Sequence, residues 1–209
     1  MNFISCKKPD TNPSTSQSLV VNYFPTSTGS FWRYSYDNGS MEYDSMPGDL
    51  LAASNGKLYV EYNEILTQNG HSVSDIGDIC KSGGTYYGTI GLFGTSIAAP
   101  GNINDKVFVG GSKVGDTWLD KIEEIDSQGV FYWKQYTTVI KDVGISEVVQ
   151  NKTYLDVVHF TLTVQGEQSS DIETIDFYVA NNVGIIKEIE FDNANGKGYT
   201  KELISYFIK

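Results

Sequence analysis

The feature that most constrains this chain is a two-residue periodicity of large apolar side chains, which begins near Val20 and continues to the C-terminus. Between residues 153 and 164, for example, Val158, Phe160 and Leu162 fall on one face, with His159 and Thr161 on the other. Alternation of this kind, in aromatic and β-branched residues, is typical of strands in a half-buried antiparallel sheet. The periodicity therefore predicts a protein built from β-strands.

Turn signals separate these strand candidates. Five dipeptides that end in Gly fall between them, and four of the five begin with Asn, which tolerates the positive φ of tight hairpin turns. They are Asn38-Gly39, Asn55-Gly56, Asn69-Gly70, Gln128-Gly129 and Asn195-Gly196. The spacing predicts an all-β fold of about ten strands, in a barrel or a sandwich. Residues 116–126 fit a helical and a strand periodicity equally well, so both interpretations stay open there.

The chain divides into a short N-terminal tether and one larger domain. Residues 1–19 are polar and rich in Pro, Ser and Thr after Cys6, so they cannot bury enough surface to offset their ordering entropy. Residues 20–209 contain no clear linker, and we expect them to form a single β domain. The loosest stretch within them, residues 81–104, is expected to be a strand followed by a long mobile loop.

The N-terminus carries a possible modification signal. Phe3, Ile4, Ser5 and Cys6 resemble the lipobox of bacterial lipoproteins, in which the Cys is lipidated after signal-peptide cleavage. The resemblance implies a translation start further upstream, a lipid on Cys6 and export to the cell envelope, with the outer membrane as the expected location. No segment reaches the 18 apolar residues of a membrane helix, so the lipid is the expected membrane anchor.

Composition excludes several other classes. The formal net charge is −11, which disfavours nucleic acid because phosphates require clustered Lys and Arg. Two Cys and two His are too few for a zinc cluster or a disulfide-stapled fold, and no phosphate-binding loop or metalloprotease motif is present. We therefore expect no metal and no cofactor, while the oligomeric state stays open.

Several phrases, in order along the chain, resemble those of uncharacterised Bacteroidetes-type lipoproteins. They are Tyr23-Phe24-Pro25, Gly29-Ser30-Phe31-Trp32-Arg33-Tyr34, Gly115-Asp116-Thr117-Trp118, Val183-Gly184-Ile185-Ile186-Lys187 and Glu202-Leu203-Ile204-Ser205-Tyr206. The resemblance implies an exported, lipid-anchored domain built on a single curved antiparallel sheet, either a half-barrel or a lipocalin-like barrel. It implies no catalytic residue.

Candidate functional residues are few. Trp32, Tyr34, Trp118 and Trp133 lie in strand candidates, where they serve either as core packing or as an aromatic platform for a ligand. His71 is expected in an exposed turn, His159 beside the sheet, and Cys80 as a small buried residue.

Carboxylates are abundant, and a solvated acidic face is the expected role for most of them. The five that could meet across strands are Glu123, Glu124, Asp126, Glu188 and Glu190.

These observations favour a non-enzymatic, lipid-anchored envelope protein that binds an apolar or amphipathic ligand, with a hydrophobic or glycan ligand as the expected small-molecule partner. One alternative is a structural or adhesive module without a pocket, recognisable by an exposed aromatic strip or an open sheet edge. The other is a surface glycan hydrolase, which requires two close carboxylates in a cleft, one of them with a raised pKa.

Overall fold

The computed structural model describes residues 22–48, 50–52, 57–82, 84–88, 106–125, 131–166, 172–192 and 196–209. These residues form thirteen β-strands. The strands are Phe31–Tyr36 (β1), Met41–Ser45 (β2), Leu50–Ala52 (β3), Leu58–Gln68 (β4), His71–Ser82 (β5), Thr85–Gly88 (β6), Lys106–Val109 (β7), Thr117–Ile125 (β8), Phe131–Val149 (β9), Lys152–Gln165 (β10), Ile172–Ala180 (β11), Gly184–Asp192 (β12) and Lys197–Phe207 (β13). The predicted tether and Cys6 lie outside the described residues.

All thirteen strands belong to one antiparallel sheet. Its order is β7-β6-β5-β4-β2-β1-β13-β12-β11-β10-β9-β8, and β3 pairs with β4 beside this path. Most neighbours are hairpins, such as β4 and β5, whose turn has Asn69 at φ 51° and Gly70 at φ 79°. Two adjacent positive φ values are what a tight two-residue hairpin turn requires. Two pairings depart from chain order: β2 pairs with β4, and β1 pairs with β13, which brings the first and last strands together in the middle of the sheet.

The sheet curls until its two ends approach each other, although side chains rather than a backbone ladder join them in the described part of the chain. The indole Nε1 of Trp118 in β8 donates a hydrogen bond to the backbone carbonyl of Lys106 in β7 at 2.8 Å. The backbone N–H of Lys106 donates to Asp120 Oδ2 at 3.2 Å. The ends of the sheet therefore meet at a seam, which these two hydrogen bonds join in the described part of the chain.

The prediction of an all-β protein with a single curved antiparallel sheet is confirmed, and the sheet is open rather than a closed barrel. It has thirteen strands instead of about ten, partly because β3, β6 and β7 contain only three or four residues each and are too short to show a periodicity. The ambiguous segment 116–126 contains a strand, β8. Among the described residues there is no helix long and apolar enough to cross a membrane.

Aromatic side chains fill the concave side of the sheet. Phe108 stacks on Phe160 with ring centroids 5.7 Å apart, and Phe160 stacks on Phe177 at 5.1 Å. The segment that precedes β1 adds Tyr23 edge-on to Phe108 at 5.1 Å, and Phe24 against Tyr86 at 5.1 Å. Residues 22–30 thus cross the concave side and cover part of its interior.

Candidate binding cavity

Three neighbouring strands place an aromatic and acidic set of side chains on the buried face near the middle of the sheet. In β1, Trp32 and Tyr34 point inward and are 5% and 3% exposed. Trp32 lies across the sheet from Asp44 of β2, and Asp44 lies across from Glu64 of β4. Because alternate residues of a strand share a face, neighbouring strands bring these side chains together although they are far apart in sequence.

A cavity of about 40 Å³ opens between these side chains. That volume is room for roughly three water molecules. Its walls are mainly apolar, and Asp44 is the only charged residue among the described residues that line it. The full lining is Phe24, Pro25, Trp32, Tyr34, Asp44, Met46, Tyr62, Ile79, Gly184 and Ile185.

Hydrogen bonds fix the two aromatic walls of β1 against β12 and the turn that precedes it. Trp32 Nε1 donates to the backbone carbonyl of Val183 at 2.6 Å, and the Tyr34 hydroxyl donates to the carbonyl of Ile185 at 3.2 Å. The indole passes so close to Gly184, which has φ 105°, that a Cβ there would lie 3.2 Å from Trp32 Nε1. Glycine at this position therefore permits both the backbone conformation and the approach of the tryptophan.

A second glycine makes room for Tyr62 on the opposite wall. Tyr62 of β4 lies across from Gly77 of β5, and a Cβ on Gly77 would lie 2.1 Å from the tyrosine hydroxyl. The Tyr62 ring therefore lies directly over the glycine backbone. Tyr62 is 2% exposed and forms part of the cavity wall.

Two polar atoms of the cavity wall have no hydrogen-bond partner among the described residues. They are Asp44 Oδ1 and the Tyr62 hydroxyl, and both are shielded from solvent. A buried polar atom without a partner is costly, and such atoms in native proteins call for an explanation. They mark the polar side of an otherwise apolar cavity.

Next to the cavity lies a buried ion network centred on Lys201 of β13. Its Nζ is 3.1 Å from Glu42 Oε1 and 2.8 Å from Glu188 Oε2. The hydroxyl of Tyr36 donates to Glu42 Oε2, and that of Tyr199 donates to Glu188 Oε1 at 2.7 Å. Burial alone would lower the pKa of Lys201, but the charges of Glu188 and then Glu42 outweigh it and hold this pKa well above its usual value.

The network leaves an excess of carboxylate beside the cavity. Lys201 is paired with Glu42 and Glu188, whereas Asp44 and Glu64 lie opposite each other on neighbouring strands. Burial and the nearby charge of Glu42 raise the pKa of Asp44 well above its usual value, and the same two causes raise that of Glu64 to about 7. The acidic surplus thus lies at the wall that carries the unpartnered Asp44 oxygen.

The structure brings only two of the four predicted platform residues together. Trp32 and Tyr34 share the cavity, but Trp118 lies at the seam between β7 and β8, and Trp133 of β9 lies under Lys121 Nζ at 4.4 Å. The prediction of a lipid on Cys6 falls outside the described residues.

The two histidines and Cys80 lie away from the cavity lining described above. His71 is exposed but begins β5 rather than lying within the turn. His159 Nδ1 lies 2.9 Å from Asp142 Oδ2, and the ring stacks on Tyr178 with centroids 4.3 Å apart. Cys80 is 5% exposed, and burial raises the pKa of its thiol.

The expectation of a solvated acidic face is wrong for Glu188, which is 1% exposed and paired with Lys201. Glu42 and Lys201 were missed as well. The sequence did contain a signal for Lys201, which shares the inward face of its strand with Tyr199 and Leu203. A charged residue at an inward position indicates a buried ion pair. Which strands supply the partners is decided by sheet topology. The side chains of Glu123 and Glu124, and all of Asp126, lie outside the described residues.

No family model and no curated protein matches this sequence. Three solved structures align with this chain. An exported protein candidate with a YmcC-like fold from Bacteroides fragilis NCTC 9343 aligns with a TM-score of 0.53 and 10% identity, over 90% of this chain and 99% of that chain. A lipoprotein candidate from Parabacteroides distasonis ATCC 8503 aligns with a TM-score of 0.49 and 15% identity, over 90% and 99% of the two chains. The hypothetical lipoprotein YmcC from Escherichia coli K12 aligns with a TM-score of 0.40 and 8% identity, over 88% and 90%.

At these identities, the likeness to the Bacteroides fragilis protein shows a shared fold and nothing finer. The curled open sheet is thus an architecture that a candidate exported protein also has. The individual sequence phrases that resemble Bacteroidetes-type lipoproteins stay predictions.

Proposed function

We propose that this chain is a non-enzymatic, lipid-anchored protein of the cell envelope that binds a small amphipathic ligand in the cavity beside Trp32. The observation that carries the proposal is the cavity itself, in which aromatic walls surround two polar atoms that lack partners. Mostly apolar walls with a few oriented polar groups are typical of small-molecule sites. The volume admits a small molecule or one end of a larger one.

The arrangement argues against the glycan hydrolase alternative. Oxygen atoms of Glu42, Asp44 and Glu64 lie within 4.8 Å of one another, which satisfies the expected closeness of two carboxylates. However, both oxygens of Glu42 are already engaged, by Lys201 and Tyr36, and the residue is 3% exposed. A hydrolase must also fit a sugar ring between its carboxyl groups. A cavity of about 40 Å³ leaves no room for one.

The anchor rests on the N-terminal sequence. The lipobox resemblance places the lipid on Cys6, and the polar residues that follow would tether the β domain to the membrane surface. The outer membrane is the proposed location. The shared fold with a candidate exported protein supports export.

Mass determination on the membrane fraction tests the anchor. The gene is expressed in its native genomic context, and Cys6→Ala serves as the control. We expect a lipid-sized mass increment on Cys6 that the control lacks. Unmodified wild-type protein in the non-membrane fraction would remove the anchor from the proposal.

A pair of methionine substitutions tests the cavity. Met46 lines the cavity, whereas Met41 at the start of β2 is 41% exposed, so Met46→Phe fills the cavity and Met41→Phe makes the same change away from it. Small amphipathic molecules are screened by ¹H–¹⁵N NMR, with the Trp32 indole N–H as reporter. We expect binding to the wild type and to Met41→Phe, and its loss in Met46→Phe. Binding that survives in Met46→Phe would contradict the assignment.

One observation favours the adhesive alternative as a second candidate. On the outer face, Phe31 stacks with Phe207 at 5.9 Å and lies 5.8 Å from Tyr43, and Arg33 lies over both Phe31 and Tyr43. Phe207 is 51% exposed, so this strip is available to a partner. Arg33→Ala with Phe207→Ala should abolish adhesion to cells or surfaces if this candidate holds, and should leave small-molecule binding in the cavity unchanged.

A further inference from the structure

The polar side of the cavity holds two oxygen atoms placed to accept hydrogen bonds. Asp44 Oδ1 and the Tyr62 hydroxyl both lack a partner among the described residues, and both belong to residues that line the cavity. An ionised carboxylate oxygen only accepts hydrogen bonds, and a tyrosine hydroxyl accepts as well as donates. A ligand group with several N–H or O–H donors would supply a partner to both atoms.

The charges around these two atoms favour a cation over a neutral donor. Lys201 is paired with Glu42 and Glu188, which leaves Asp44 and Glu64 without a cationic partner among the described side chains. Burial and the neighbouring Glu42 charge raise the pKa of Asp44 against the opposing charge of Lys201, so the ionised form of Asp44 is only partly compensated. A positive charge placed against Asp44 would compensate it.

The remaining walls suit an organic cation better than a metal ion. Divalent ions such as Ca²⁺ take six or more oxygen ligands, and Mg²⁺ keeps several waters. Of the three carboxylates that lie close together, Glu42 already has both oxygens engaged, and the cavity walls include Phe24, Trp32 and Tyr34. Aromatic faces attract organic cations through their quadrupole and pack against the attached carbon chain. A hydrated metal ion would gain nothing from these walls.

We infer that the cavity beside Trp32 binds the protonated amino group of a small primary amine, with Asp44 and Tyr62 accepting its N–H donors and the aromatic walls enclosing its carbon chain. The inference rests on the proposed small-molecule function and names its ligand class. Propylammonium, with four non-hydrogen atoms, matches a volume of roughly three water molecules.

Calorimetric titration of the full-length protein with propylammonium tests the inference, and 1-propanol serves as a neutral probe of the same length. We expect a dissociation constant of about 0.1–10 mM for propylammonium, given the small number of ligand atoms. We also expect affinity for 1-propanol at least tenfold weaker. Equal affinity for the two probes would overturn the cation assignment, while the proposed small-molecule cavity would stand. The cavity function would be overturned as well if neither probe binds and the NMR screen of small amphipathic molecules also finds no ligand whose binding is lost in Met46→Phe.

Three substitutions assign the contact. Asp44→Asn should weaken propylammonium binding at least tenfold, because it removes the charge and keeps the size of the side chain. Tyr62→Phe removes only a hydroxyl and should weaken binding several-fold, which keeps the inference testable if Asp44→Asn fails to fold. Glu147→Gln removes one negative charge on β9, where Glu147 pairs with Lys187, and should leave the affinity unchanged. Equal weakening in Glu147→Gln and Asp44→Asn would show a general charge effect and overturn the site.

Discussion

The buried pairing of Lys201 makes a quantitative prediction about stability. Lys201, Glu42 and Glu188 are 5%, 3% and 1% exposed, so Lys201→Met leaves two carboxylates buried without their cation. Breaking a buried ion pair from one side costs about 3–5 kcal/mol. That loss is a large fraction of the roughly 5–15 kcal/mol that stabilises a typical domain. For a domain of this size it corresponds to a fall in Tm of about 6–20 °C.

Urea denaturation at pH 7 measures the loss, and a second lysine supplies the control. Lys187 Nζ lies 2.9 Å from Glu147 Oε1, but those side chains are 21% and 20% exposed. Water screens the second pair, so Lys187→Met should cost less than about 1 kcal/mol. A loss in Lys201→Met no greater than that in Lys187→Met would refute the reasoning.

A triple variant separates the lost charge from the lost packing. Lys201→Met combined with Glu42→Gln and Glu188→Gln keeps the shapes of the side chains but removes all three charges. Because the triple variant no longer buries a carboxylate without its cation, we expect it to recover most of the loss. Failure to recover it would assign the loss to packing instead.

Three further predictions follow from individual contacts. Gly184→Ala should destabilise the protein by about 1–3 kcal/mol in urea denaturation, because the new Cβ meets the cavity tryptophan. Gly39 also has a positive φ but has open space around it, so Gly39→Ala should cost at least about 1 kcal/mol less. The carboxylate partners of His159 raise its pKa although burial opposes them, so its contribution to stability is complete below pH ~6.5 and is lost as pH rises through the raised value. The stability difference between the wild type and His159→Gln should therefore shrink from pH 6 to pH 9, and a constant difference would contradict this. Trp118→Phe removes the hydrogen bond to the Lys106 carbonyl at the seam and should cost about 0.5–1.5 kcal/mol of stability. Amide hydrogen exchange in β7 should become faster, and unchanged exchange there would show that the seam does not depend on this bond.

Local patterns predict much of the fold because strand formation and turns depend on neighbouring residues. The alternation in residues 153–164 predicts β10, and Asn69-Gly70 predicts the hairpin that joins β4 and β5. The buried state of Cys80 also follows from the general tendency of a free Cys to be buried. Short strands such as β6 escape this reasoning, because four residues do not establish a period.

The cavity and the ion network could not be predicted in this way. Trp32 and Asp44 are twelve positions apart, and Lys201 is 159 positions from its partner Glu42. An inward charge can be identified from the alternation of its strand, but its partner depends on which strands are neighbours. The pairing of β1 with β13 is a long-range contact that no local pattern encodes.

The amino-acid pattern alone predicts a β-rich fold and its hairpin turns, and it carries the resemblance that points to the cell envelope. These features depend on backbone preference and on alternation between neighbouring residues. The cavity at Trp32 and Tyr34, the seam contact of Trp118 and the burial of Glu188 beside a lysine become visible in the folded structure. The physical reason is that burial and charge compensation depend on distances across the curled sheet, and the order of the strands sets those distances.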